Sequence, residues 1–114
     1  MEKTPQIGLR LQGDVSVIDI KGDVTPIAGP LIEAAYREAT SSGAKKILFV
    51  FAHDGYINSG GIAILIGILS ESKKHAQTIR ITGLSAHFQK IFGMVGLTKY
   101  AQIHSSEEAA LAAF

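Results

Sequence analysis

Cysteine is absent from this chain of 114 residues, which removes disulfides, thiol catalysis and zinc–thiolate sites together. That absence says little about redox compartment. Charge is scarce and nearly balanced. Charged residues make up 18% and the formal net charge is +1, so the composition gives no reason to expect nucleic acid or an acidic membrane surface as partner. The longest apolar run is too short to span a bilayer, and the opening Met1-Glu2-Lys3-Thr4-Pro5 lacks the apolar core of a signal peptide. A cytoplasmic protein is therefore expected. No linker, low-complexity tract or internal repeat divides the chain. Apolar residues reach 46%, enough for one domain over 1–114 to bury a core without a metal or disulfide.

Apolar residues alternate with polar or small ones from Ile7 to Leu11, and again through Val15, Val17, Ile18 and Ile20. The Gly13-Asp14 pair between these runs reads as a hairpin turn. Pro26 and Pro30 are tolerable only in a helix's first turn, so a helix begins between Thr25 and Pro30. It carries Leu31, Ile32, Ala35, Tyr36 and Ala39 at helical spacing and stops at Ser41-Ser42-Gly43. Ile47 to Ala52 is nearly all apolar, as in a central strand covered on both faces. Ile62 to Leu69 is apolar all round, the pattern of a buried helix, which Lys73-Lys74-His75 close. Thr78 to Thr82 alternates as a strand. Ser85 can cap a third helix with Phe88, Ile91, Phe92 and Val95 inward, and Gly93-x-x-Gly96 marks its end. Tyr100 to His104 reads as a short strand, and Ser105-x-x-Glu108 as a capping box opening a last helix with Leu111 and Phe114. The order β-β-α-β-α-β-α-β-α specifies an α/β fold: a mixed, mostly parallel sheet packed with about four helices. Whether the helices cover one face or two stays open.

The most informative stretch is Tyr56-Ile57-Asn58-Ser59-Gly60-Gly61-Ile62, a polar turn between the apolar strand and the apolar helix. Ser59 is placed to be the helix N-cap, and a helix N-terminus tolerates a phosphate. Gly60 and Gly61 leave the backbone bare there, and the neighbours Thr25, Gly55 and Asn58 are small or weakly charged. This describes a docking surface more than a reaction centre. A nucleophile elbow needs glycines two before and two after its serine, and Ile57 occupies the first of those places. His53, His75, His87 and His104 are scattered, with none tied to Ser59 by spacing. Gly60-Gly61 lacks the spaced glycines and lysine of a phosphate-binding loop. No cluster of His and carboxylates suggests a metal, no cofactor is expected, and an enzyme is disfavoured. His53-Asp54 reads as solvated loop. Thr25 can cap the first helix before Pro26 or line the same docking surface, and both readings stand.

Four segments in order resemble the STAS domain family, shared by bacterial anti-sigma factor antagonists and sulphate-transporter tails. Tyr56 to Ile62 is similar to its aromatic/aliphatic-Ile-Asp-Ser-Ser-Gly-Leu motif, and Lys21-Gly22-Asp23-Val24-Thr25 to its Gly-Glu-Leu-Asp turn. Leu84 to Phe92 resembles a Ser-Pro-x-Val-x-x-x-Phe helix start, Gly96-Leu97 the Gly-Leu pair, and Ser105 to Ala110 the terminal helix. The resemblance implies partner switching. Unphosphorylated at Ser59, the antagonist binds an anti-sigma factor that is also a serine kinase. Phosphorylated, it is rejected until a phosphatase restores it. Thr25, Asn58, Ser59, Gly60 and Gly61 would form the partner-binding surface of a monomer or weak dimer. The chain departs from the family at this site: Asn58 and Thr25 stand where Asp is usual, Gly60 for a second Ser or Thr, and Ala63 for Gly. The alternative is a non-phosphorylated interaction or scaffold module in which Ser59 is a structural cap.

Overall fold

Strand alternation builds two unequal cores on one sheet. The computed structural model describes residues 4–114, so the Met1–Lys3 opening lies outside the described residues. The strands are β1 (Gln6–Gln12), β2 (Val15–Lys21), β3 (Lys46–Phe51), β4 (Thr78–Thr82) and β5 (Ala101–His104). They lie side by side in chain order, with β1–β2 antiparallel and the other three pairings parallel. The helices are α1 (Gly29–Ser41), α2 (Ser59–Lys74), α3 (Ala86–Met94) and α4 (Glu107–Ala113), with a 3-10 turn at Leu97–Lys99. The expected element order is the observed one.

The helices divide between the two faces. Ile18 and Ile20 of β2, Ile47, Phe49 and Phe51 of β3, and Ile79 and Ile81 of β4 form the larger core with Ile32, Leu65, Phe88 and Phe92 from α1, α2 and α3. The alternate residues Val15, Val17 and Leu48 meet Ala110 of α4 on the opposite face. β3 is covered on both faces, which is why its sequence does not alternate.

Three local expectations need correction. α2 is not buried all round: its surplus apolar residues face outward, with Ile66 at 45% exposure, because the sheet covers only the side carrying Leu65, Ile68 and Leu69. Val95 is exposed, since α3 ends at Met94 and the chain turns away at Gly96, where φ is +83°. The cap of α4 is Ser106, whose hydroxyl accepts from the Ala109 amide, rather than Ser105. Ser85 does cap α3, accepting from Phe88.

On the α4 face, Arg80 lies over the Phe114 ring, hydrogen-bonds Gln102, and donates from Nη1 to His104 Nε2 at 3.1 Å. That bond requires a neutral imidazole at Nε2. Burial, and then the Arg80 charge, push the His104 pKa below its ordinary value. A depressed folded-state pKa means the stabilisation is complete above the unfolded value of about 6.5 and is lost as pH falls through the lower folded value. Unfolding free energy measured against pH should therefore fall on the acid side of about 6.5, and fall less steeply in His104→Gln.

Candidate functional site

The two segments singled out in the sequence meet in space. The chain leaves β2 through 22–25 and leaves β3 through 52–58, and Val24 pairs with Ile57 as an isolated parallel bridge. The Val24 amide donates to the Tyr56 carbonyl at 2.7 Å, and the Asn58 amide to the Val24 carbonyl at 3.2 Å. Asp23 Oδ1 accepts from the Tyr56 amide at 3.1 Å. Val24 and Ile57 are both buried, so the crossing is anchored in the core. α2 starts directly from it.

The N-cap of α2 is Asn58, and not Ser59 as expected. Asn58 is extended at φ −91°, and its Oδ1 accepts from the Gly61 amide at 2.8 Å. Ser59 is the first helical residue, exposed, and its hydroxyl makes no side-chain hydrogen bond among the described residues. Asn and Ser are equally good caps, so composition alone could not choose between neighbours.

The glycines serve the fold's interior. A Cβ on Gly61 would collide with the Val24 carbonyl, so a side chain there would break the crossing. A Cβ on Gly60 would lie 2.7 Å from Pro26 Cγ. Pro26 thus fills the space that a second Ser or Thr would need, which accounts for that departure from the family motif. Bare backbone at these positions was expected to admit another molecule; the chain's own 24–26 turn takes that space instead.

Thr25 is only 3% exposed. Its hydroxyl accepts from the Ile27 amide at 3.2 Å and its carbonyl from the Ala28 amide at 3.0 Å, while the cap position of α1 is Ala28. Thr25 therefore shapes the turn, and the surface beside α2 is presented by Pro26, Ile27, Tyr56 and Ser59, all exposed. Sequence reasoning missed Pro26, Ile27 and the bracing Asp23. The Pro26–Gly60 complementarity has no local signature, because the partners are far apart in the chain.

His75 closes α2 within 3.3 Å of Glu71, His87 packs edge-on against Phe88, and His104 meets Arg80. Among the described residues no group of His and carboxylates could hold a metal ion, and no helix is long and apolar enough to cross a membrane. The first turn of α2 carries no acidic side chain.

The STAS domain family model matches residues 6–110. The chain belongs to the STAS domain family. Solved structures share the fold at low identity. An anti-sigma factor antagonist from Mycobacterium paratuberculosis is 16% identical with a TM-score of 0.82, covering 96% of this chain and 93% of its own. The Bacillus cell fate determinant SpoIIAA in its phosphorylated form is 20% identical with a TM-score of 0.67, covering 96% of this chain and all of its own. A putative anti-sigma factor antagonist from Thermotoga maritima is 14% identical with a TM-score of 0.78, covering 94% and 92%. No curated protein sequence matches the chain.

The cap assignment has a direct consequence. Asn58→Ala should lose about 1 kcal/mol of stability, whereas Ser59→Ala should change it by less than about 0.5 kcal/mol, both measured by chemical denaturation. Equal losses, or a larger loss in Ser59→Ala, would return the capping role to Ser59.

Proposed function

We propose that this STAS domain is an anti-sigma factor antagonist that works by partner switching at Ser59. It binds an anti-sigma factor with serine kinase activity while Ser59 is unmodified, releases it once Ser59 carries a phosphate, and is reset by a phosphatase. Its role is binding rather than catalysis. The observation that carries this reading is the division of labour at the α2 N-terminus. Asn58 does the capping, which leaves the Ser59 hydroxyl exposed and uncommitted. The same observation weakens the alternative of an unmodified scaffold, since the structural reason for a serine at 59 was capping. The anti-sigma factor antagonists among the similar structures, and the phosphorylated form recorded for one relative, give the reading its biological frame.

The energetics of such a switch are favourable on both sides. Phosphoserine adds a charge of about −1.5 to −2 near neutral pH. At the first turn of a helix that charge is stabilised by roughly 0.3–2 kcal/mol, so the modified fold persists. In an interface the same charge loses water without gaining a partner, at an effective penalty of several kcal/mol. A difference of ~1.4 kcal/mol is already tenfold in affinity. The neutral Asn58 and Thr25, standing where the family has carboxylates, lower the negative field that a phosphate would meet.

Incubation with an anti-sigma factor that has serine kinase activity should add one phosphate, located by mass spectrometry at Ser59 and absent from Ser59→Ala. Ser59→Asp should weaken binding to the same kinase at least ~10-fold with the melting temperature nearly unchanged. A phosphate that persists in Ser59→Ala, or undiminished binding by Ser59→Asp, would favour the scaffold reading.

A further inference from the structure

We propose that β1 is a self-association edge, along which two copies of this chain pair antiparallel and join their sheets. β1 is seven residues long and pairs with β2 without a bulge through Gln12↔Val15. Its outer edge has no strand partner among the described residues. Sheet edges are normally blunted by shortness, lysines, prolines or bulges. The other edge, β5, is short at four residues. β1 carries no lysine, proline or bulge within its span, and a single charge. Its one charged residue, Arg10, is turned onto the α4 face, where it binds Asp19 at 2.7 Å and Glu107 at 2.7 Å. Leu11 is 73% exposed, and Gly8 has no atom within 4 Å of where a Cβ would lie, so this fold itself does not require glycine there. A glycine inside a strand often marks the close approach of another backbone.

The sequence of β1 selects one register. With Leu9 opposite Leu9 of the second copy, Leu11 faces Ile7 on the α1 side and Arg10 faces Gly8 on the α4 side. Shifting by one pairing step in one direction sets Arg10 opposite Arg10, two like charges face to face, which is unfavourable. Shifting the other way sets Leu11 opposite Pro5, outside the strand. Of these three registers only the Leu9-centred one both covers Leu11 with an apolar residue and keeps the two Arg10 side chains from facing each other. This edge lies at the end of the sheet and does not include Ser59, so the proposal stands apart from partner switching.

Sedimentation velocity on the full chain should give a reversible monomer–dimer equilibrium, and Leu11→Lys should raise its dissociation constant at least ~10-fold. Because the chain has no cysteine, a single introduced thiol reads the register. Leu9→Cys should form a disulfide-linked dimer under mild oxidation, since opposed Cβ atoms lie about 4.5–5.5 Å apart, whereas Leu11→Cys should not. A monomer up to ~1 mM, a dimer indifferent to Leu11→Lys, or cross-linking of Leu11→Cys as fast as Leu9→Cys would overturn the proposal.

Discussion

The crossing of two strand exits at Val24 and Ile57 is the constraint on which the rest of the site depends. It buries both side chains and satisfies the backbone with two main-chain hydrogen bonds, and Asp23 braces the approach. Buried amides and carbonyls left unpaired here would each cost about 1–3 kcal/mol, so the crossing holds its register firmly. Gly61 follows from it, because only a residue without Cβ passes under the Val24 carbonyl. Asn58 follows too, since its own amide is held by Val24 while its side chain caps the helix. Ser59 is then the first helical residue, exposed and with no side-chain hydrogen bond among the described residues, at the positive end of a helix of 16 residues.

The rest of the molecule fixes where that helix points. α1, α2 and α3 share the larger core, and α4 closes the smaller one behind β2 and β3. Gly29 of α1 packs against Ile64 of α2, where an added Cβ would sit 2.6 Å from Ile64 Cδ1. α2 therefore carries buried Leu65, Ile68 and Leu69 on one side and exposed apolar residues such as Ile66 on the other. α2 thus presents the exposed Ser59 at its N-terminus and apolar surface such as Ile66 along its outer face.

Much of this was legible in the sequence. Element order, the Gly13-Asp14 hairpin, the C-terminal end of α2, both ends of β4, and the Ser85 cap follow from local period and turn chemistry. The meeting of the 22–25 and 56–62 segments followed from family resemblance, not from period. What escaped was finer or longer in range. Asn58 and Ser59 are adjacent residues of equal capping strength, and only the crossing decides which one lies half outside the helix. Thr25 reads as a cap or a docking-surface residue, whereas the fold buries it and gives the cap position of α1 to Ala28. The outward face of α2 was hidden by its composition, because Ile62 to Leu69 looks apolar in every direction.

The central claim is that Ser59 sits at an electropositive helix end able to hold a phosphate within the intact fold. Phosphorus NMR titration of protein carrying phosphoserine at position 59 tests this most directly. The account expects a second phosphate pKa below that of the same residue in the urea-unfolded chain, where it is about 6, because the helix end favours the dianion. A value equal to or above the unfolded one would contradict it.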